Sequence, residues 1–163
     1  MASRALRLYE RLAHRPFGKW LFAEIICLNA PYFATIEPRF RDLRPGFCQV
    51  SMRKRRRVLN HIRTVHALAI GNLCELAAGM MMEATLPSEL RWIPRGMTIE
   101  YLHKAKSDVT ASARLDKSEW TSGENVGVPV TVVDADGQEV VRAVITMYIS
   151  GRGSNGPSQS GSA

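Results

Sequence analysis

Between Asn60 and Met82 the chain reads NHIRTVHALAIGNLCELAAGMMM, and four of its side chains are equipped for chemistry. Asn60 and Asn72 offer amides, His66 an imidazole and Glu75 a carboxylate set among Leu, Ala, Gly and Met. Taking a carboxylate out of water among such neighbours is costly unless it is paired or put to use. In use, it can act as a general base on water or attack an electrophilic carbonyl directly, and the sequence leaves both routes open. At helical spacing Glu75 shares a stripe with Leu68, Gly71, Asn72, Gly79 and Met82. A glycine in a helix interior costs about 1 kcal/mol against alanine. Two of them beside a carboxylate therefore leave room for a ligand or for a second chain. In the second case two such helices face each other and Glu75 pairs with an arginine.

The elements that must position these residues follow from periodicity. A long apolar helix is expected over roughly Thr64 to Thr85, ended by Pro87. Upstream, Leu6, Tyr9 and Leu12 predict an amphipathic helix over residues 3–15, and WLFAEIICLNA predicts a second one up to Pro31. ATIEPRFRDL and FCQVSMRKR alternate around the turn Arg44–Gly46 and read as a hairpin, with Pro38 placing the first strand at an edge. Four more alternating runs follow the long helix: GMTIEYLHKA, SDVTASARLDK, NVGVPVTVVDADG and QEVVRAVITMYIS, the last two joined by a turn at Asp134–Gly137. Two strands, one greasy helix and four antiparallel strands make an α+β plan in which the sheet curls around the helix. The expected organisation is a helical lead-in over 1–33, one domain over 34–151 and a disordered Gly/Ser-rich tail over 152–163.

Composition narrows the function classes. The 163 residues carry a formal charge of +7, much of it in the run Arg53–Arg57. Such a run attracts polyanions, or else forms a solvated edge-strand face that discourages sheet aggregation. No nucleic-acid fold signature accompanies it, so specific nucleic-acid binding is not expected. Cys27, Cys48 and Cys74 each sit in an apolar run without a Cys-x-x-Cys or His cluster, which predicts free buried thiols, a cytoplasmic location and no bound metal. The apolar helix is broken by His66, Asn72 and Glu75, so no transmembrane segment is expected. No Gly-x-Ser-x-Gly or phosphate-loop pattern is present.

The order of elements over Ala34–Gly151 resembles the hotdog fold, a long helix wrapped by a curved sheet. The spacing Asn60, then His66 six residues on, then Glu75 after nine more resembles the acyl-CoA thioesterases of the phenylacetate-pathway type. TIEYLHKAKSDVTASARL is also similar to that branch, and the helical lead-in is closer to its uncharacterised hotdog relatives. Two departures stand out. The branch's His-Gly-Gly is His66-Ala67-Leu68 here, which restricts close backbone approach, and Glu75 replaces the commoner Asp.

The resemblance implies hydrolysis of an acyl thioester carried by coenzyme A or acyl carrier protein, without a cofactor. The thioester carbonyl would lie at the helix N-terminus, where the Ala67 N–H and the helix dipole stabilise an oxyanion. Glu75 would be base or nucleophile, Asn60 would position the water or the carboxylate, and His66 would fix the loop or polarise the carbonyl. Arg57, Arg63, Lys104 and Lys106 are the candidate phosphate contacts, and Met82 a wall of the acyl pocket. His61 and His103 are taken as structural. Such sites are composite, so a homodimer or a dimer of dimers is implied. A non-catalytic module binding an acyl thioester or fatty acid on the same fold is the alternative.

Overall fold

The computed structural model describes residues 3–152. Helices α1 (Arg4–Ala13) and α2 (Gly18–Asn29) and a 3-10 turn over Pro31–Ile36 lead into the hairpin β1 (Arg39–Arg44) and β2 (Phe47–Met52). Helix α3 (Ala67–Thr85) follows, then β3 (Leu90–Tyr101), β4 (Val109–Arg114), β5 (Asn125–Val133) and β6 (Glu139–Gly151). The six strands form one antiparallel sheet in the order β1-β2-β4-β5-β6-β3, so β1 and β3 are its edges. The expected tail lies almost wholly outside the described residues.

Helix α3 is apolar almost all round because the sheet covers it almost all round. Leu73, Cys74, Ala77, Ala78, Met81 and Met82 are fully buried, and they meet Val50, Val109, Ala111, Val128, Ile145 and Met147 in one core cluster. Each large side chain withdrawn from water here contributes about 2 kcal/mol. Among the described residues this is also the one helix long and apolar enough to cross a bilayer by length and composition. Its C-terminal end is tied to the first hairpin, where the Gly46 N–H donates to Thr85 Oγ1 at 2.9 Å.

Several expectations shift in detail. The long helix starts at Ala67 rather than Thr64, because Asn60–Val65 closes on itself as a loop and His66 caps the helix. Residues 31–36 form a 3-10 turn, so the first strand starts only at Arg39, after Pro38, although it is the expected edge. Strand β3 begins at Leu90, seven residues before Met97. Its Pro94 and Gly96 read as breakers, yet they flank a bulge in the pairing with β6, where an edge strand tolerates proline. The basic run Arg53–Arg57 is not a strand face. It leaves β2 as a loop and enters a short 3-10 turn, with Arg55 paired to Glu37 at 3.1 Å. Cys27, Cys48 and Cys74 are free and buried, as expected.

The lead-in is part of the core. Tyr9, Phe22 and Phe40 stack edge-on, with centroids 5.2 and 4.9 Å apart, and join α1 and α2 to β1. The elbow between the helices is tight: a Cβ on Gly18 would stand 1.7 Å from the Leu12 carbonyl oxygen. Phe17, just before it, adopts the left-handed conformation at φ 60°, which costs a bulky residue about 1 kcal/mol or more.

Gly18→Ala therefore drives a methyl into backbone that cannot step aside. Chemical denaturation should show a loss of about 2 kcal/mol or more, without a change of fold class by circular dichroism. A second prediction concerns the thiols. Burial pushes the Cys74 thiol from its ordinary value of 9.0 up to about 12, and it raises Cys48 and Cys27 as well. The folded chain keeps these thiols neutral where the unfolded chain ionises. Stability should hold below pH 9.0 and fall as the pH climbs from there toward the buried value of about 12. A thiol-specific reagent should react only after denaturant is added.

Candidate functional site

The loop before α3 is built around Asn60. Its Oδ1 accepts from the Ile62 and Thr64 N–H groups at 3.1 and 3.0 Å, and its Nδ2 donates to Thr64 Oγ1 at 2.8 Å. Its main chain closes the same ring, with Asn60 N–H donating to Thr64 O and Arg63 N–H to Asn60 O. Arg63 completes the turn in the left-handed region at φ 62°. Asn60 thus holds the loop that delivers the chain to the helix.

His66 is the helix N-cap. Its Nδ1 accepts from the Leu68 N–H at 3.1 Å, which requires an unprotonated Nδ1. The carbonyl of His66 takes the N–H groups of Ala69 and Ile70. Among the described residues the Ala67 N–H has no hydrogen-bond partner, leaving one first-turn donor aimed out of the helix end. Tyr101 donates its hydroxyl to the Ala67 carbonyl at 3.3 Å and so steadies that turn from β3. Desolvation raises the Tyr101 pKa and keeps the hydroxyl a donor.

Three openings surround this pole. One of ≈ 300 Å³ is bordered by Asn60, Ala67, Tyr101, His103 and Lys104. A second, of ≈ 550 Å³, is bordered by Arg56, Asn60, His61 and Arg63. The third, of ≈ 200 Å³, has Arg57, His66, Leu68 and Asn72 on its wall. Arg57, Arg63, Lys104 and Lys106 are all exposed, and the Lys106 carbonyl accepts from Lys54 Nζ. Asn72 is buried and donates to Thr35 Oγ1 at 3.2 Å, pinning α3 to the lead-in rather than reaching toward Glu75.

Glu75 lies elsewhere. It is half-buried rather than fully enclosed, and among the described residues its carboxylate has no hydrogen bond or ion pair. It sits in the wall of a largely apolar chamber of ≈ 230 Å³ between α3, the lead-in and β3, walled by Ile26, Phe33, Leu76, Met80 and Trp92, with Asn29 and a second carboxylate, Glu83, also on its lining. The flanking glycines admit this chain's own strand. A Cβ on Gly79 would stand 2.7 Å from the Trp92 ring, and one on Gly71 would stand 3.3 Å from Ile99 Cδ1. Strand β3 takes part of the room expected there for a ligand or a second helix, and the chamber beside Glu75 and Gly79 is what stays open. Met82 is sealed in the core, and Met80 is the methionine on the chamber wall.

The chamber residues Trp92, Phe33 and Ile26 escape a sequence reading. Trp92 precedes Pro94 and Gly96 and looks like loop, and the other two lie in a lead-in whose packing partner the sequence does not reveal. The signal available was Gly79 itself, a small residue facing a large one.

The arrangement has two poles: a helix N-terminus with one free N–H, and a carboxylate in an apolar chamber. Eight residues of helix separate Ala67 from Glu75, about 12 Å along the axis. One small reacting group does not span that separation within a single chain.

Comparison with known proteins agrees with this architecture. A genomics crystal structure is 47% identical, covering 90% of this chain and 97% of that one at a TM-score of 0.79. A Pseudomonas aeruginosa protein of unknown function, described as a probable thioesterase, superposes at 0.71 with 21% identity, covering 85% of this chain and 99% of its own. A Haemophilus influenzae thioesterase superposes at 0.70 with 11% identity, covering 81% and 90%. At these last two identities the likeness shows the fold, which is the hotdog fold. No curated protein sequence matches the chain. Residues 18–149 match the family described as a domain of unknown function, DUF4442, and the chain belongs to that family.

Proposed function

We propose that this chain hydrolyses an acyl thioester at a site that two copies build together. The observation that carries the reading is the unpaired carboxylate of Glu75 on an apolar chamber, with the Ala67 donor about 12 Å away on the same helix. A second copy supplies what one chain separates. The Ala67 N–H of one chain would polarise the carbonyl, and Glu75 of the other would activate water or attack.

The sheet offers a surface for that pairing. Strand β3 is a 12-residue edge, and Ile93, Met97 and Tyr101 along it are exposed. An uncovered edge of that length is a template for another strand. Arg57, Arg63 and Lys104 border the openings around the helix N-terminus, with Lys106 two residues beyond Lys104, so the phosphates of a coenzyme A or acyl-carrier arm would rest on the chain that supplies the N–H. The acyl group would enter the other chain's chamber. Free buried thiols accord with a reducing, cytoplasmic setting.

A binding module without turnover is the second reading. It is favoured by one feature: the His66 imidazole already occupies the Leu68 N–H, so the oxyanion would find a single main-chain donor.

Thiol release from a panel of acyl-CoAs tests hydrolysis. Glu75→Gln should lose on the order of a hundredfold or more at unchanged folding and oligomeric state. No turnover by either would leave the binding reading in front, and equal non-zero rates would show hydrolysis that does not use Glu75. Ala67→Pro removes the donor while proline is at home in the first helical position and His66 already has extended angles (φ -65°, ψ 137°). It should lose on the order of a hundredfold in kcat with little change in stability. Mixing the two inactive variants then reads the composite directly. Half of randomly mixed dimers are heterodimers, each with one intact site, so about a quarter of wild-type activity should return. No recovery, with heterodimers demonstrated, would place both poles within one chain.

A further inference from the structure

The lead-in buries Tyr9 and Phe22 but turns several other large apolar side chains outward. Phe17 is 84% exposed, Trp20 62%, Leu28 80% and Tyr32 72%, with Leu21 beside them. Trp20, Leu21, Glu24 and Leu28 recur at helical spacing along one face of α2, while Phe22, Ala23 and Cys27 on the opposite face are buried. Scattered single hydrophobics are ordinary on a protein surface, but a contiguous run of aromatics and leucines marks a contact.

Phe17 sharpens the point. Its position precedes the first residue of α2 and has left-handed angles (φ 60°, ψ 4°) with no side-chain cap. Backbone and capping both call there for Gly, Asn or another short polar residue. The chain instead carries a phenylalanine, in a disfavoured conformation, with its ring in water. Nothing inside the fold uses that ring.

Charge identifies what the ring meets. Arg4, Arg7 and Arg11 recur along the exposed side of α1, and His14 and Arg15 stand exposed at the elbow directly before Phe17. From α1 through α2 there are five cations against two carboxylates, Glu10 and Glu24. Lys19 is engaged with the Arg41 carbonyl and the Tyr9 ring, so the elbow's outward charge comes from the arginines. Aromatic and aliphatic tips flanked by arginines match the boundary between lipid headgroups and acyl chains. The geometry points to the α1–α2 elbow as a docking site for an anionic bilayer surface, with Phe17, Trp20 and Leu21 entering the headgroup boundary and Arg11 and Arg15 meeting lipid phosphates. Glu24 stays at headgroup level, hydrated. Phe17, Trp20 and Leu21 border none of the openings at either pole, although Tyr32 farther along borders the one beside His66, and the docking does not depend on hydrolysis.

The test is cosedimentation of the full chain with phosphatidylcholine vesicles, with and without phosphatidylglycerol. Wild type should bind the anionic vesicles, more weakly at high salt, and Trp20 fluorescence should shift to the blue. Phe17→Asn separates function from folding, because asparagine suits both the left-handed angles and the cap. That variant should be as stable as wild type or more so, yet lose on the order of tenfold in vesicle binding. Replacing Arg11 and Arg15 with glutamine should abolish the preference for phosphatidylglycerol. The proposal is overturned if wild type does not bind anionic vesicles, or if Phe17→Asn binds as well as wild type. It is equally overturned if Phe17→Asn lowers the oligomeric state in sedimentation velocity while vesicles bind neither protein, since the patch would then join copies of this chain.

Discussion

Keeping α3 dry governs the rest of this molecule. A 19-residue helix with Leu73, Cys74, Ala77, Met81 and Met82 fully buried has little to give to water. The sheet must therefore bend around it, and the faces the sheet leaves open must be closed by something else. The lead-in closes one: Asn72 bonds to Thr35, and the Tyr9–Phe22–Phe40 cluster locks α1 and α2 to β1. Only at the ends of the helix and along the Glu75–Glu83 side does polar chemistry reach the surface. Buried packing thus decides where a site can be, before any side chain is chosen for its reactivity.

The same constraint explains what could be read in the sequence. Alternation in β4 and β5 and the apolar run of α3 are consequences of burial, and burial writes itself into residue order. Val126, Val128, Val130 and Val132 point inward one by one, as their spacing demands. The loop around Asn60 was less legible, because its hydrogen bonds run from one side chain to a main chain that any sequence possesses. The glycine stripe was legible as a need for space but not as to who fills it. Trp92 and Ile99 approach from a strand whose first half hides behind Pro94 and Gly96. Long-range partners of small residues are the information a linear pattern lacks.

The two poles also differ in what holds them. The N-terminal pole is main-chain geometry: an N–H set by the His66 cap, the Asn60 ring and the Tyr101 hydroxyl. Substituting a side chain cannot remove that donor unless proline takes its place. The carboxylate pole is made of side chains, Glu75 with Glu83 on the same chamber, set among apolar neighbours. A site assembled from one main-chain group and such side chains keeps its electrostatic half while its reactive half varies.

The chamber beside Glu75 has walls of two origins. Leu76, Gly79 and Met80 belong to the helix on which the whole fold depends, whereas Ile26, Ala30 and Phe33 belong to the lead-in. The first set sits on the buried helix itself, while Ile26 and Phe33 only pack against the core from outside and are half-buried. Divergence among relatives can therefore reshape the chamber by drifting along α2 and the turn after it, with the central helix left unchanged. The lead-in is the adjustable jaw of a vice whose other jaw is fixed.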